Sequence, residues 1–600
     1  MKESITQMKK ENSPFKTVTH HADFCVVGGG LAGLCAAVAA ARHGAQVLLM
    51  QDRPMPGGNA SSEVRMWVCG AQGDNKRETG LLEEIMLENL YRNPDRNYSV
   101  WDSVLYELAF CQENLTLLLN CTCMDCRTDN GHIRSVTGWQ MTTQTFHTVE
   151  ASVFADCSGD SVLAPLSGAL FRFGREGADE FGEDVAPAKA DRKTMGMSCL
   201  IQAREETRPS TFIPPKWAYH FTKEDLPHRV PNMDDPYENF WYLELSGEDD
   251  AIADTERVRD ELLKVAYGVW DYVKNAPENR EKNQYWHLDW VGMLPGKRES
   301  RRYVGDYILT QNDVQSGGRF DDMVAYGGWS MDDHDPAGFR SVGVPTVHYP
   351  APSPYGIPFR CLYSENIENL LFAGRNISVT HTAMSSTRVM ATCALCGQAV
   401  GTAAAIAAKE QRTPRGVYET RIKEVQRQLM DDDCWLPGFT RTIPTLTKEA
   451  MLLCDAPDAD NLRNGIDRPT EVGENCITVE KGSAVTYRFS VPQTVSRVRI
   501  VFDSDLNRAT LPDQKVLRNR NMIHNRPLQR QDVYVPKTMV RMFRVEGILP
   551  DGTVRVLAEE TNNYQRLRRY AVKGKYSAVR LIPLETWGDE RCRLFAFEVE

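Results

Sequence analysis

The first clear hydrophobic pattern lies between residues 22 and 52, where two apolar runs flank an alanine-rich segment. Phe24–Val27 and Val47–Met50 are short and apolar, which predicts two buried strands. Leu34–Arg42 is rich in alanine and contains no proline, which predicts a helix that ends near Gly44. The pattern therefore predicts a strand, a tight turn, a helix and a second strand.

The next part of the chain alternates in short runs before it becomes mixed. Residues 114–156 alternate around the turn Asp129–Gly131, which predicts a β-meander that ends in the buried strand Val153–Asp156. Residues 170–350 are rich in Trp, Tyr and Pro, and one helix is expected near Asp254–Lys274.

The last third begins with helical patterns and ends in short strands. Asn369–Phe372 predicts a strand, Ser386–Lys409 predicts a long helix of small residues, and charged helical segments follow at 416–430 and 446–453. Past Gly465, short apolar runs recur at regular spacing, which is typical of a β-sandwich. The expected strands are Val479–Phe489, Val495–Phe502, Met542–Leu549, Val554–Ala558, Ala578–Pro583 and Leu594–Val599.

The composition is that of a globular protein with several domains. The 600 residues are 42% hydrophobic and 25% charged, which excludes a disordered or collagen-like chain. The net charge of -11 is unevenly distributed, since residues 461–600 carry 24 basic and 17 acidic residues and the rest of the chain carries -18. This asymmetry supports a separate C-terminal domain. Its excess of basic residues could favour an anionic partner, although an ordinary solvated surface is the more usual explanation.

The sequence also bears on the cellular location. Met1–Thr19 is polar and lysine-rich, without the apolar core of a secretory signal, and no apolar run approaches the ~20 residues that span a membrane. Several of the 16 cysteines lie in apolar segments, which is typical of reduced thiols. A cytoplasmic protein without a membrane span is therefore expected.

The turn after the first strand carries a dinucleotide-binding fingerprint. Gly28, Gly30 and Gly33 follow a buried strand and precede a helix, which is the context that gives this motif its meaning. The first glycine permits a tight turn, the second lets the backbone approach a pyrophosphate, and the third lets the helix pack on the strand. A pyrophosphate at this helix N-terminus would meet free N–H groups and the positive end of the helix dipole. We assign Gly28, Gly30, Ala32 and Gly33 to a nucleotide site.

The second strand ends where a ribose would be bound. An acidic residue is expected there, but the chain has Gln51 followed by Asp52 and Arg53. Gln51 can hydrogen-bond hydroxyl groups without contributing a charge, so either Gln51 or Asp52 could contact the ribose.

Several longer motifs resemble one family of flavoenzymes. The motifs are GGGLAG, QDRPMPGGNASSE, FADCSGD, PGKRESRRYVGDYILTQND, YGGWSMDDHDP and LLFAGRNISVTHTAMSSTRVMATCALCGQAVGTAAA, and they extend over about residues 22–410. The chain resembles FAD-dependent oxidoreductases with a glutathione-reductase-type Rossmann domain. Within that group it is most similar to bacterial proteins often found beside glycan-degrading enzymes.

The resemblance implies FAD as the cofactor and assigns residues to each of its parts. Gly57, Gly58 and Asn59 would meet the pyrophosphate, and Cys123 would lie near the adenine. The helix that begins near Thr387 would direct its N-terminal dipole at the flavin and stabilise its reduced, anionic form. The other residues implied to hold FAD are Asp160, Gly374, Arg375 and Asn376, the last three along the ribityl chain.

The thiols and the single fingerprint limit the electron source. Cys123 and Cys126 lie three residues apart on a strand, and Cys393 and Cys396 lie among small helical residues, so packing is the expected role of both pairs. The resemblance brings Cys69 toward the flavin. With only one dinucleotide fingerprint, electrons are expected to come from an organic substrate and to leave to oxygen, a quinone or a protein.

Three residues are candidates for the chemistry. His381 would lie between the ribityl-binding strand and the flavin-facing helix, where an imidazole could accept a hydroxyl proton, although a helix-capping role is equally compatible. Arg388 could neutralise a reduced flavin or a substrate anion, or form an internal ion pair. His334 with Asp335 could form a base oriented by a carboxylate.

Further residues are candidates for substrate contacts. Arg298, Arg301 and Arg302 could grip a carboxylate or phosphate, although such a run is usually a solvated turn. Trp290 and Trp329 could stack on a sugar ring, although most tryptophans are core residues. The spacing of His334 and its neighbouring aspartates does not resemble that of a zinc site, and no metal is predicted.

These patterns predict an α/β protein with a Rossmann-type FAD-binding domain, an interleaved α+β substrate domain and a C-terminal all-β sandwich that resembles galactose-binding-like modules. The expected function is oxidation of a secondary hydroxyl on a small-molecule or oligosaccharide substrate, such as a sugar or glycoside. Nucleic acid is not expected as a partner. The alternatives are redox-assisted glycosidic bond cleavage and a carbohydrate-binding protein with structural FAD. The sandwich is expected to fold separately and not to hold the flavin; the substrate, the electron acceptor and the formation of a homo-oligomer stay open. The expected domains are a tail at 1–21, the FAD-binding domain at 22–165 and 350–412, the substrate domain at 166–349, a helical connector at 413–460 and the sandwich at 461–600.

Overall fold

The computed structural model describes residues 14–508, 522–529 and 532–600. Most of the expected tail, residues 1–13, lies outside this part of the chain, and the first strand already begins at Lys16. The elements of the N-terminal module are β1 (Lys16–Val27), α1 (Leu31–Arg42), β2 (Val47–Met50), α2 (Leu81–Arg92), α3 (Tyr98–Phe110), β3 (Leu115–Leu118), β4 (Cys121–Asp129), β5 (His132–Gln140), β6 (Thr145–Asp156) and α4 (Leu163–Ser167).

These strands form one mixed sheet in the order β3-β2-β1-β6-β5-β4. β1 pairs in parallel with β2 and β6, and β4 to β6 form the antiparallel meander that the sequence predicts. Parallel neighbours need a crossover, and α1 supplies it between β1 and β2. The carboxyl ends of the parallel strands consequently lie along one edge of the sheet.

The chain returns to this sheet after the middle module. β18 (Leu370–Phe372) pairs in parallel with the end of β6, and α8 (His381–Thr387) and α9 (Met390–Glu410) follow. The sequence predicts a single helix over Ser386–Lys409, whereas the structure breaks it at Arg388 and Val389. α9 packs closely on α1 at Gly397, where an added Cβ would lie only 2.0 Å from the Ala32 carbonyl oxygen.

α9 is also long and apolar enough to cross a membrane by composition, but 94% of its apolar window is buried inside the fold. This burial is typical of a core helix.

The middle module consists of small sheets around separate hydrophobic clusters. Its longest helix, Thr255–Asn275, agrees with the expected helix near residues 254–274. The elements are β7 (Phe171–Arg172), α5 (Ala178–Phe181), β8 (Met197–Ser198), β9 (Ile201–Glu205), β10 (Glu244–Leu245), α6 (Thr255–Asn275), β11 (Trp286–Val291), β12 (Gly296–Lys297), β13 (Arg302–Tyr303), α7 (Gln311–Gln315), β14 (Met323–Gly327), β15 (Met331–His334), β16 (Thr346–Tyr349) and β17 (Tyr355–Pro358).

The C-terminal region is the expected all-β structure, with antiparallel strands around a main apolar core. Part of the expected strand Val479–Phe489 and all of Val495–Phe502 belong to a single long strand, β21 (Val485–Phe502), which bends at bulges. The expected connector contributes two helices, α10 (Pro414–Asp431) and α11 (Thr445–Glu449). It also contributes β19 (Met451–Leu453), which pairs with β21 and so belongs to the sandwich. The elements are α10 (Pro414–Asp431), α11 (Thr445–Glu449), β19 (Met451–Leu453), β20 (Ile477–Glu480), β21 (Val485–Phe502), β22 (Val540–Ile548), β23 (Val554–Glu560), β24 (Leu567–Thr586) and β25 (Arg591–Val599).

This β region is docked on the rest of the protein through buried groups. Leu87 and Leu90 of α2 are part of its apolar core. The buried guanidinium of Arg508 lies 2.6 Å from the buried carboxylate of Glu83 in α2. Removing the β region would take this partner from Glu83 and would expose Leu87 and Leu90 to water, which is costly.

Candidate active site

A cavity of about 790 Å³ opens at the carboxyl edge of the parallel strands and extends into the middle module. Ligands of open α/β sheets bind at this edge. Of the residues predicted from the sequence, those that line it are Gly28, Gly30, Ala32, Gln51, Asp52, Arg53, Gly57, Gly58, Asn59, Cys69, Cys123, Asp160, Arg298, Arg301, Trp329, His334, Gly374, Arg375 and Arg388. Those that do not are Gly33, Trp290, Arg302, Asn376, His381 and Thr387.

The three fingerprint glycines have three different surroundings. Gly28 has φ +100°, and an added Cβ would lie 2.4 Å from the Ser158 backbone nitrogen. A Cβ on Gly33 would lie 1.8 Å from the Gly28 carbonyl oxygen, because α1 packs closely on the turn. At Gly30 the nearest atom would be the Gly58 Cα, 4.0 Å away, so this position faces open cavity. The geometry fits a dinucleotide whose pyrophosphate approaches Gly30.

Gln51 and Asp52, at the end of β2, differ in burial and in their hydrogen bonds. Gln51 is buried, and its Oε1 accepts a hydrogen bond of 2.6 Å from the Gly29 N–H. Its Nε2 donates to the Met55 carbonyl oxygen at 3.2 Å, so the side chain holds the glycine turn. Asp52 is exposed at the cavity, and its carboxylate accepts no hydrogen bond from a described residue. Asp52 is therefore the acidic group available for a ribose.

Asp160 organises positive charge along the cavity. Its carboxylate contacts Nη2 of Arg375 at 2.7 Å and Nζ of Lys297 at 2.9 Å. Burial would raise the pKa of Asp160, but the charges of Arg375 and Lys297 outweigh burial and lower it to about 2. Buried nitrogen atoms of Arg375 (Nε) and Arg53 (Nη1) have no hydrogen-bond partner within the described residues. Such donors fit the anionic diphosphate of FAD.

The N-terminus of α9 also reaches the cavity. Val389, Met390 and Cys393 line it, and the helix begins at Met390, three residues after the predicted Thr387. The positive end of the helix dipole is thus directed at the cavity. Burial raises the pKa of Cys393 to about 12, so its thiol stays protonated.

The structure does not support His381 as a base. The ring is buried outside the cavity lining, with Nδ1 at 2.8 Å from Glu299 and Nε2 at 3.1 Å from Asp333. Burial would lower its pKa, but the two carboxylates outweigh burial and raise it to about 10. At neutral pH the ring is an imidazolium that cannot accept a proton. His381 instead anchors β15 through its contact with Asp333, on the side away from the cavity.

His334 lies on the opposite face of β15 and lines the cavity. Its Nδ1 lies 2.6 Å from Oε2 of the buried Glu244, and its Nε2 lies 3.4 Å from Oδ2 of Asp332. The carboxylate that orients His334 is therefore Glu244 of β10 and not the predicted Asp335. No sequence signal indicated Glu244, which is 90 residues away from His334 along the chain.

The arginine run separates into three environments. Arg298 lines the cavity and lies 3.5 Å from Glu244, and it donates to the Trp241 carbonyl oxygen at 2.9 Å. Arg301 also lines the cavity, whereas Arg302 is fully buried in an internal ion pair with Glu176. The three guanidinium groups therefore do not act together on one anion.

The two predicted tryptophans also differ. Trp329 lines the cavity. Trp290 does not, and the guanidinium carbon of Arg65 lies 4.3 Å from the centroid of its ring, so Trp290 has a packing role. Trp241, which the sequence reasoning missed, lines the cavity beside His334 at a ring distance of 5.4 Å.

A segment of the C-terminal region braces one wall of the cavity. This strap, residues 522–528, places the buried His524 against the Arg65 carbonyl oxygen and 3.1 Å from the Tyr98 hydroxyl. The His524 ring meets Trp67, which lines the cavity, edge to face at 5.1 Å. Arg526 continues the strap and donates its N–H to the Ala203 carbonyl oxygen at 2.9 Å. None of the described residues past 460 lines the cavity itself.

Comparison with known proteins identifies the chain's relatives. Residues 23–429 match the family model described as FAD dependent oxidoreductase. Comparison with curated protein sequences gives no match.

Solved structures resemble separate parts of the chain. A geranylgeranyl bacteriochlorophyll reductase-like protein from Thermoplasma acidophilum and the flavin-dependent brominase Bmp2 each align at 11% identity and a TM-score of 0.32, covering 69% of this chain and 86% of their own. The GH31 CBM32-2 module, solved with GalNAc, aligns at 12% identity and a TM-score of 0.19, covering 25% of this chain and 95% of its own. Because the family model spans more than half of the residues, the chain belongs to the FAD dependent oxidoreductase family, and FAD is its cofactor.

Proposed function

We propose that the protein oxidises a secondary hydroxyl group of a sugar or glycoside, with His334 as the proton acceptor. The observation that carries this proposal is a histidine, paired with a buried carboxylate, in the same cavity as the dinucleotide-binding turn. When bound, FAD supplies an oxidising centre that accepts a hydride from the carbinol carbon.

The contacts of His334 suit a base. Burial would raise the pKa of Glu244, but the charge of Arg298, the contact with Nδ1 of His334 and the hydrogen bond from the Gly196 N–H lower it, so Glu244 is ionised. In a neutral His334 ring, the ionised Glu244 would favour the proton on Nδ1 and leave the lone pair on Nε2. A hydroxyl proton transferred to Nε2 would gain Asp332 as its partner at 3.4 Å. The hydroxyl loses this proton and its carbon loses a hydride, which yields a ketone.

The lining of this end of the cavity favours a sugar. Trp241 and Trp329 line this end, and aromatic rings suit the apolar side of a pyranose ring. Nε1 of Trp329 and Nε of Arg388 are buried donors without a partner in the described part of the chain, and hydroxyl oxygens could accept from them.

Anaerobic mixing of the FAD-loaded protein with a panel of sugars and glycosides tests the proposal. We expect a member of the panel to bleach the flavin absorbance, and His334→Ala to slow this reduction by ~10² to 10⁴ while FAD stays bound. His220→Ala, which removes an exposed histidine paired with Asp271, is the matched control and should leave the rate unchanged. Equal rates in wild type and His334→Ala would refute the assignment.

Product mass then separates the alternatives. Oxidation leaves a product lighter by two hydrogen atoms, whereas redox-assisted cleavage releases two smaller fragments. A protein that only binds carbohydrate would show no turnover-dependent bleaching with any sugar.

A further inference from the structure

The charged groups at the substrate end of the cavity neutralise one another. We call this end the substrate subsite and define it by Trp241, Arg298, Trp329, Asp332, His334 and Arg388. Nη2 of Arg388 lies 3.1 Å from Oδ2 of Asp332. Nη1 of Arg298 lies 3.5 Å from Oε2 of Glu244. Each cavity-lining guanidinium of the subsite therefore already has a carboxylate.

Both carboxylates stay ionised although they are buried. Burial would raise the pKa of Asp332, but His334 and Arg388 outweigh burial and hold it well below its ordinary value. The pKa of Glu244 is lowered in the same way by Arg298 and His334. Guanidinium groups do not lose their charge in proteins. The subsite, together with the buried Glu244 that pairs with Arg298, thus carries two fixed positive and two fixed negative charges in addition to His334.

The cofactor end of the cavity differs in this respect. Arg375 and Lys297 share the single carboxylate of Asp160, so within the described residues these two cations have one carboxylate between them. An excess of positive charge therefore lies where the FAD diphosphate is expected and not where the substrate is expected. The two ends are built for ligands of different charge.

We infer that the substrate subsite selects an uncharged polyhydroxylated ligand and excludes carboxylates, phosphates and sulfates. An anionic ligand would lose its hydration without gaining a cation that lacks a carboxylate, and it would lie next to the cavity-lining carboxylate of Asp332, which is unfavourable. A neutral sugar meets only hydrogen-bonding groups and tryptophan rings. The identification of the ligand as a sugar rests on the proposed function, whereas the exclusion of anions does not.

Sulfate is the probe for the exclusion. The FAD-loaded protein is titrated with sodium sulfate against sodium chloride of equal ionic strength, and binding is followed by the flavin difference spectrum and by calorimetry. We expect no saturable signal from wild type. Asp332→Asn frees Arg388, and Glu244→Gln frees Arg298, so each variant should bind sulfate at least ~10-fold more tightly than wild type. Asp234→Asn, which removes an exposed partner of Lys282, is the control.

The possible results have distinct meanings. Saturable sulfate binding to wild type as tight as to the variants would overturn the inference, and so would two FAD-loaded variants that bind no sulfate. The less buried Asp332→Asn keeps the test decisive if Glu244→Gln does not fold. If sulfate behaves as expected but no sugar bleaches the flavin, the proposed function fails and the inference stands. If uronates reduce the wild-type flavin as fast as neutral glycosides, the inference fails and the function stands.

Discussion

Gly30→Ala separates cofactor binding from folding at a single position. Gly30 has φ -61° and ψ 178°, which any residue can adopt. The added Cβ would meet only the Gly58 Cα, at an ordinary contact distance of 4.0 Å. The methyl group therefore enters the cavity and not the protein core, and we expect the fold to remain intact.

The expected magnitudes follow from these contacts. A methyl group that keeps the diphosphate away from the turn would remove one charge-assisted hydrogen bond, worth ~1.5 to 3 kcal/mol, which weakens FAD binding ~10- to 100-fold. The apoprotein should not lose stability, because replacing glycine at a compatible φ stabilises by ~0.4 to 1 kcal/mol through the unfolded state. Weaker FAD binding together with an unchanged or raised apoprotein melting temperature is the expected signature.

The assay compares three alanine variants. FAD affinity is measured by fluorescence titration of the apoprotein, and the melting temperature by circular dichroism. Gly33→Ala should lower the melting temperature, because its Cβ would lie 1.8 Å from the Gly28 carbonyl oxygen. Gly473→Ala, where no atom lies within 4 Å of the added Cβ, should leave FAD affinity unchanged and should not lower the melting temperature. Wild-type FAD affinity in a folded Gly30→Ala variant would refute the location of the cofactor site.

Three further predictions concern the remaining elements. The two carboxylates raise the pKa of His381 to about 10. The stabilising contribution of the charged ring is therefore complete below pH ~6.5, and it is lost at ~1.4 kcal/mol per pH unit as the pH rises from ~6.5 toward 10. Melting temperatures across pH should show this loss in wild type but not in His381→Gln, and equal profiles would contradict the prediction. His524→Ala loosens the strap behind Trp67, so we expect KM to rise with FAD retained and kcat less affected, whereas an unchanged KM would contradict a bracing role. A chain ending at Asp460 removes the arginine partners of Glu83 and Asp433 and exposes Leu87 and Leu90, at ~1.5 to 3 kcal/mol for each leucine, and should melt at a lower temperature than the full chain; an unchanged melting temperature would show an independently folded sandwich.

The sequence by itself was sufficient for the cofactor turn and for the β-rich end of the chain. The strand, the glycine turn and the helix around Gly28, Gly30 and Gly33 depend on short-range periodicity and on the steric freedom of glycine, and both are visible in a window of thirty residues. The alternating strands past Gly465 are equally local, although their fusion into the single strand β21 depends on pairing with β24 and β25.

The roles of the ionisable residues were decided only by the tertiary structure. Spacing could not show that His381 lies between Glu299 and Asp333, or that His334 is oriented by Glu244. Each partner comes from a distant part of the chain, and the protonation state of a buried group depends on the balance between lost hydration and the charges within a few ångströms. Sequence motifs specify which groups are present near a site, whereas their charges are set by neighbours that only folding brings together.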